Sequence, residues 1–218
     1  MSKVIIFGMG SFAEVVHFYL NHDSDHEVVA FTVNEDHLTQ QNFMGLPVVP
    51  FEKIEQSFSP DIFEMFIAIG YRKVNKIRAA IYREAKTKGY QLITYISSRC
   101  TNWGESVGDN CFIFEDNTIQ PFVKIGNDVV MWSGNHIGHH SVIGDHTFIA
   151  SHAVISGHVH VAPYCFIGVN ATMRENICIG ESCIIGAGAL IMKSTKEKEV
   201  YVSHRTPLAK KKSDEIKM

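Results

Sequence analysis

One position in every six stays apolar over the second half of this 218-residue chain. Counted from Val107, fifteen consecutive six-residue blocks begin with an aliphatic residue or methionine, and no insertion interrupts them before Lys196. The second position is often glycine, and the fifth is usually small or apolar. The leading residues are Val107, Ile113, Ile119, Ile125, Met131, Ile137, Ile143, Ile149, Ile155, Val161, Ile167, Met173, Ile179, Ile185 and Ile191. This period predicts a parallel β-helix of hexapeptide repeats.

The repeat predicts where each side chain points. One block supplies a short strand and a turn, and three blocks close one coil of a triangular prism, so fifteen blocks build about five coils. The leading residue fills the interior, and the small fifth residue also points inward. Glycine at the second position is expected to relieve the backbone at a corner.

The first part of the chain alternates strand and helix patterns instead. Predicted strands are KVIIFG, EVVAFTV, MFIAIG and QLITYIS, and predicted helices are SFAEVVHFYLNH, PFEKIEQSF and KVNKIRAAIYREAKTKG. Ser11 is predicted to cap the first helix, and Gly89 to end the last. This alternation favours a Rossmann-like parallel sheet with helices packed on it. We therefore predict an α/β domain over residues 1–98 and a β-helix domain with a C-terminal tail over residues 99–218.

Composition excludes several classes of function. The chain is 45% hydrophobic and 20% charged, its formal net charge is −3, and basic residues cluster only near the C-terminus, so a nucleic-acid partner is not expected. The longest apolar runs are too short or too glycine-rich to span a membrane. The first residues carry no signal-peptide pattern, which favours a cytoplasmic location. Five cysteines without a CxxC spacing predict small buried side chains rather than disulfides or a zinc ribbon.

Residues 134–146 contain four histidines, and the repeat separates them. His140 and His158 occupy the fourth position of blocks one coil apart, whereas His146 and His152 occupy it on other faces. One ion cannot therefore be shared by His140, His146 and His152, and no metal site is predicted. His139 is third in its block and is expected to point outward near the middle of a face. It is either an ordinary surface histidine or part of a cleft between packed subunits.

A glycine-containing loop, Gly8, Gly10 and Ser11, joins the first strand to the first helix. Its amides and the helix N-terminus suit a phosphate, and the alternative is a tight turn with no ligand. Ala13 stands at the third glycine position of a dinucleotide fingerprint, and Thr32, Val33 and Asn34 stand where the ribose-binding acid would be expected after the second strand. A hydride-transfer enzyme is therefore disfavoured.

Three segments, FGMGSFAEVV, FIAIGYRKVNKIRAA and IGHHSVIGDH, carry a resemblance over nearly the whole chain. The sequence resembles the sugar acyltransferases related to sialic acid O-acetyltransferase and UDP-4-amino-sugar N-acetyltransferase. The resemblance implies a left-handed β-helix, a homotrimer with acetyl-CoA bound between subunits, and an N-terminal domain that binds a nucleotide-linked sugar.

The resemblance also implies roles on the β-helix. His139 corresponds to the catalytic base, and Gly157 to the backbone donor that stabilises the oxyanion. His140 stands where the family has an acidic partner for the base. Phe148 stands where the family has a second histidine, and His146 is the nearest substitute for it, as a residue that contacts the cofactor. Asn135 is expected either to orient His139 or the sugar, or only to form a corner turn.

Substrate and cofactor positions follow from the same resemblance. Substrate-binding residues on the first domain are expected to be Gly8, Gly10, Ser11, Asn34, Gly70, Tyr71 and Arg72. The family's acidic pair after the second strand is replaced by Thr32, Val33 and Asn34, so a thymidine or guanosine carrier is as plausible as uridine. Cofactor contacts are expected at Ala187, at Pro207, and at Lys210, Lys211 and Lys212, which suit the 3′-phosphate of CoA. The alternative for the lysines is a solvated tail.

The expected function is acetyl transfer from acetyl-CoA to a nucleotide-linked 4-amino-4,6-dideoxyhexose, on the way to a surface polysaccharide. A neutral imidazole can remove the acceptor proton, which contributes about 10²–10⁴-fold to a rate. The alternatives are O-acetylation of a sugar hydroxyl and a catalytically silent scaffold that binds a nucleotide sugar. His140 and Phe148 keep the scaffold open.

Overall fold

The computed structural model describes residues 2–204, 206–210, 212 and 215. Its first part is a five-stranded sheet with helices on both faces. The sheet order is β3-β4-β2-β1-β5, parallel except for the β3–β4 hairpin. The strands are β1 (Lys3–Phe7), β2 (Glu27–Val33), β3 (Asn42–Phe43), β4 (Leu46–Pro50) and β5 (Phe63–Ile67), and the helices are α1 (Ser11–His22), α2 (Ile54–Ser57) and α3 (Lys76–Thr87). The predicted Rossmann-like fold is confirmed.

Successive side chains of β1 point to opposite faces of the sheet and pack in two separate apolar clusters. Val4 and Ile6 pack with Val16 of α1, whereas Ile5 packs on the opposite face with Ala85 of α3. Buried strands with helices on both faces read as continuous apolar runs, which is why KVIIF was recognisable in the sequence. The hairpin β3–β4 was not predicted from the sequence.

Two details at the helix ends refine the expectations. Gly10, not Ser11, is the N-cap of α1, and no side chain caps the helix there. Gly89 follows the C-cap of α3 with φ +91°, in the left-handed region, so it ends that helix as predicted.

From Tyr95 to Tyr201 the chain is a left-handed β-helix of two-residue strands on three faces. Face I carries β6 (Tyr95–Ile96), β9 (Phe112–Ile113), β12 (Val130–Met131), β15 (Phe148–Ile149), β18 (Phe166–Ile167), β21 (Ile184–Ile185) and β23 (Val200–Tyr201). Face II carries β7 (Thr101–Asn102), β10 (Thr118–Ile119), β13 (His136–Ile137), β16 (Val154–Ile155), β19 (Thr172–Met173) and β22 (Leu190–Ile191). Face III carries β8 (Ser106–Val107), β11 (Lys124–Ile125), β14 (Val142–Ile143), β17 (His160–Val161) and β20 (Cys178–Ile179).

Each leading residue of the repeat is the second residue of its strand, and nearly all are buried in one continuous core. The β-helix begins at Tyr95, before the first block of the repeat at Val107. The segment QLITYIS was predicted as a fourth strand of the first sheet, and this is wrong in part. Leu92 makes one parallel bridge to Met65 of that sheet, but Tyr95–Ile96 pairs with Phe112–Ile113 and forms the first rung of face I.

The role expected for the second-position glycines is also corrected. The left-handed residue of a block is the fourth in every block but the last, for example His140 at φ +59° and His158 at φ +56°. The second-position glycine is needed for close packing between coils, because a Cβ on Gly138 would lie 2.5 Å from the backbone nitrogen of Gly157. Adjacent coils therefore approach too closely for a side chain at that position.

The first domain packs against face I through aromatic side chains. Phe12 and Tyr19 of α1 contact Phe112, Phe114 and Trp132 along this face. Face I is consequently the covered face of the prism within one chain. In the part of the chain that the structure describes, no helix is both long and apolar enough to cross a membrane.

Candidate active site

The loop after β1 and the loop after β5 enclose a cavity of about 650 Å³. Six of the predicted substrate residues line it: Gly8, Gly10, Asn34, Gly70, Tyr71 and Arg72. Ser11 is exposed in the first turn of α1 and is not among the lining residues. The carboxyl ends of parallel strands thus meet at one opening, where α/β sheets bind ligands.

Gly8 is fixed at this opening by sterics. Its φ of +127° disfavours a side chain, and a Cβ there would lie 2.9 Å from the carbonyl oxygen of Ala68. Its amide donates to the carbonyl of Thr32 at 2.8 Å, so β2 and the residue that follows β5 hold the loop from both sides. The loop can therefore approach a ligand with bare backbone.

Thr32, Val33 and Asn34 supply no acid at the family's acidic positions, but the fold brings one to Asn34 from elsewhere in the chain. Glu52 accepts a hydrogen bond from the Asn34 side-chain amide at 3.1 Å and from the Glu35 backbone amide at 3.0 Å. His37 also lines the cavity. No local pattern pointed to Glu52, because it lies in the connection after β4.

A second cavity of about 370 Å³ adjoins the first along face I. Tyr71 lines both cavities, and its ring centroid lies 5.0 Å from that of Phe148 and 4.7 Å from that of Phe166. Ala187, a predicted cofactor contact, and Trp132 are also in the lining. Phe148, which takes the place of the family's second histidine, thus becomes an apolar wall.

His139 lies at the corner between faces II and III, not near the middle of a face as expected. It is exposed, and its Nδ1 lies 3.0 Å from the Nδ1 of His140. The His140 ring stacks on that of His158 one coil above, with centroids 4.7 Å apart and an angle of 14°. The sequence predicted that His140 and His158 share a face. It did not predict that both would contact His139.

Gly157 brings a free amide to the same corner. Amides at the third position of a block do not join the ladder between coils, and among the described residues the Gly157 N–H has no acceptor. The His139 ring lies against its Cα, so that an added Cβ would be 2.8 Å from Cε1 of the ring. An imidazole and an unpaired backbone donor beside one another are the two parts that acyl transfer needs.

The histidine corner and the two cavities do not meet within one chain. The second cavity lies on face I and at the corner between faces I and II, where Trp132 and Ser151 turn, and the first cavity adjoins it in the α/β domain. The corner with His139 is the one corner of the prism that does not touch face I. Within one chain, the predicted base and the predicted substrate residues are therefore on opposite sides of the β-helix.

Two predicted site residues have structural positions instead. His146 is buried, and its Nδ1 bonds to Asp128 at 2.8 Å at the corner between faces III and I, away from His139. Asn135 is 1% exposed; its amide nitrogen donates to the Trp132 carbonyl, and its Oδ1 accepts from the Ala153 amide. The prediction that Asn135 orients His139 or the sugar is wrong, because its side chain points into the prism.

The predicted tail contacts stay predictions. Pro207 and Lys210 are exposed and line neither cavity. Lys212 is exposed, and its backbone amide bonds to Glu215 at 3.2 Å, whereas Lys211 lies outside the described residues.

The chain combines an α/β domain that has a ligand-sized cavity with a β-helix of hexapeptide repeats. This combination places it among the two-domain hexapeptide-repeat proteins. Residues 3–85 match the family model of the PglD N-terminal domain, and residues 123–157 match that of the bacterial transferase hexapeptide with six repeats. The chain therefore combines an N-terminal domain of the PglD type with a hexapeptide-repeat domain of the bacterial transferases.

Solved structures with this fold cover nearly all of the chain. The acetyltransferase domain of PglB from Neisseria gonorrhoeae is 23% identical, with 89% of this chain and 93% of that chain covered and a TM-score of 0.75. PerB from Caulobacter crescentus, in complex with CoA and GDP-perosamine, is 22% identical, with 92% and 93% covered and a TM-score of 0.79. WeeI from Acinetobacter baumannii is 21% identical, with 93% and 97% covered and a TM-score of 0.78.

Proposed function

We propose that the protein transfers the acetyl group of acetyl-CoA to the amine of a nucleotide-linked 4-amino-4,6-dideoxyhexose, in the cytoplasm, for a surface polysaccharide. The observation that carries this proposal is the exposed ring of His139 against the unpaired amide of Gly157. The cavity beside α1 suits the nucleotide and its phosphates, because helix N-termini and bare loop amides favour negative charge. The complex of PerB with CoA and GDP-perosamine supports this choice of substrates.

The proposed reaction proceeds in three proton-balanced steps. The His139 imidazole takes a proton from the sugar amine as the nitrogen attacks the thioester carbonyl. The carbonyl oxygen becomes an oxyanion and accepts a hydrogen bond from the Gly157 N–H. The carbon–sulfur bond then breaks, and the proton passes from the imidazolium to the CoA sulfur.

The site is completed by a neighbouring subunit in this proposal. A general base must lie within hydrogen-bond reach of the proton that it removes, and His139 is on the opposite side of the prism from the cavities of its own chain. A homotrimer with heterologous contacts would place the His139 corner of one subunit against Tyr71 and Ala187 of the next. In that arrangement the second cavity would hold the pantetheine end of acetyl-CoA.

The test is a panel of nucleotide sugars incubated with acetyl-CoA, with release of free CoA as the readout. We expect turnover with 4-amino sugars and none with their 4-hydroxy counterparts, whereas the reverse preference would establish O-acetylation. His139→Asn should lower kcat by about 10²–10⁴-fold. His22→Asn removes an exposed histidine at the end of α1, away from both cavities, and serves as the control. Full turnover in His139→Asn, or none by the wild type with any sugar, would reject the proposal, and the latter result favours a scaffold.

A further inference from the structure

Three imidazoles meet at the corner between faces II and III. His140 and His158 form a parallel stack, and His139 stands nearly perpendicular to both, at 90° and 87°, with centroids 5.2 and 5.1 Å away. One ring nitrogen from each of the three lies within 4.8 Å of the others. All three side chains are exposed, so solvent reaches the cluster.

The repeat itself creates this cluster. His140 and His158 occupy the same position one coil apart, and both have left-handed backbone, so their side chains leave the corner in the same direction. The Phe122 ring lies 4.6 Å below His140 in the same column and supports the stack. His139 precedes His140 in the turn, and its ring is held against Gly157.

Among the residues that the structure describes, no carboxylate contacts the ring nitrogens of these three histidines, whereas the rings of His37 and His146 each contact an aspartate. The contact that joins His139 and His140 is between two Nδ1 atoms 3.0 Å apart. Two such atoms can share one proton or can bind one ion.

We propose that His139, His140 and His158 form a binding site for a divalent transition metal ion of the zinc type, with water as the fourth ligand. Neutral imidazole nitrogens bind Zn²⁺ at about 2.0–2.1 Å, which places tetrahedral ligands about 3.3 Å from one another. The His139–His140 pair is already near that spacing, and exposed side chains can rotate to bring in His158. This trio differs from His140, His146 and His152, which lie at three different corners.

The ion would also act on catalysis. Zinc occupies the imidazole lone pair, which a general base uses to take a proton, so the metal-bound form is inactive and removal of the metal restores turnover. This consequence rests on the proposed function, whereas binding of the ion does not.

The test measures Zn²⁺ binding to the untagged full-length protein by isothermal titration calorimetry and by competition with a chromophoric chelator. Coenzyme A is omitted, because its thiol binds zinc. We expect one ion per chain. Loss of a hydrogen-bond partner of a metal ligand weakens metal binding by roughly 10–100-fold. His140→Asn and His158→Asn remove ligands themselves, so each should weaken Zn²⁺ binding by at least that factor. Asparagine accepts left-handed backbone, as it does at Asn170 and Asn176 of the same repeat, so both variants should fold.

His152→Asn is the matched control, since it changes a fourth-position histidine at another corner. It should leave zinc affinity unchanged. The metal site is overturned if no ion binds, if the affinity of His158→Asn equals that of the wild type, or if His152→Asn weakens binding equally. In an acetyl-transfer assay, zinc should inhibit the wild type more than ten times as strongly as His158→Asn, and a chelator should reverse the effect. Zinc binding without any acetyl transfer would reject the proposed function alone.

Discussion

The guanidinium of Arg78 in α3 donates a hydrogen bond to the carboxylate of Asp128 in the β-helix at 2.9 Å, and both side chains are fully buried. Arg78 also donates to the backbone carbonyl oxygens of Asp128 and His146. It therefore binds the backbone at the corner between faces III and I in addition to the Asp128 carboxylate. The second carboxylate oxygen of Asp128 meets His146. This pair fastens the first domain to the prism at a point that water does not reach.

Loss of Arg78 should destabilise the protein strongly. Arg78→Met leaves Asp128 buried without a counter-charge, and breaking a buried pair in this way costs about 3–5 kcal/mol. Urea unfolding of the single variant measures this loss. The double variant Arg78→Met with Asp128→Asn should lose less than Arg78→Met alone, because the uncompensated charge is gone. A loss below about 1 kcal/mol in Arg78→Met would contradict the role given to the pair.

Gly157→Ala should impair catalysis more than stability. The backbone of Gly157 is outside the left-handed region, so alanine is accepted there, but its Cβ would displace the His139 ring. Misplacing a catalytic group by about 1 Å can cost roughly 10²-fold in rate. We expect that loss in kcat/KM together with a nearly unchanged Tm. Ser156→Ala, one residue earlier, is the control, and equal losses in both variants would argue against the contact with His139.

Mixed trimers should reveal a shared active site. His139→Asn lacks the base, and Gly70→Leu fills the first cavity at a position where a new Cβ meets nothing within 4 Å. If adjacent subunits share a site, random mixing of two inactive variants restores about a quarter of the wild-type activity. Co-expression with two different affinity tags isolates the mixed species. Absence of activity in trimers shown to contain both variants would mean that each chain must use its own residues.

Tyr71→Ala should weaken substrate binding. The side chain is 54% exposed, yet it joins both cavities through its contacts with Phe148 and Phe166. Loss of roughly 1–2 kcal/mol of apolar contact corresponds to about a 5–30-fold rise in KM. Initial rates with each substrate varied in turn measure the effect, and thermal unfolding should change little. An unchanged KM for both substrates would remove Tyr71 from the site.

Asp23 gives the fold a defined response to acid. Burial alone would raise its pKa, but hydrogen bonds from Ser98, Tyr95 and Ser97 outweigh burial and lower the pKa of Asp23 to about 2. A carboxyl group whose pKa is lower in the folded than in the unfolded protein stabilises the fold at pH values above its ordinary pKa. This stabilisation is lost as the pH falls from roughly 4 to 2.

Asp23→Asn should therefore cost about 1–2 kcal/mol at neutral pH, because charge-assisted hydrogen bonds become neutral ones. The difference from the wild type should shrink as the pH falls from roughly 4 to 2. Chemical unfolding at a series of pH values measures it, with the exposed Asp25→Asn as the control. A difference that stays constant down to pH 2 would show that the charge is not involved.

The amino-acid sequence by itself determined the β-helix, its phase and the inward or outward direction of its side chains. In a six-residue repeat, residues at the same position of successive coils have the same surroundings. Ile137 and Ile155 could therefore be placed in the core, and His140 and His158 in one column. The first sheet was predictable for the same reason, since buried parallel strands leave continuous apolar runs such as KVIIF.

Only the tertiary structure decided how the two halves meet. The first domain covers face I through Phe12, Tyr19 and the buried pair of Arg78 and Asp128, and it brings Tyr71 onto Phe148. Contacts between residues so distant in the chain depend on complementary surfaces of two finished domains and leave no local period. The same docking puts His139 on the far side from the cavities of its own chain. A repeat pattern could not reveal this, because it records position around the prism but not which face a second domain will cover.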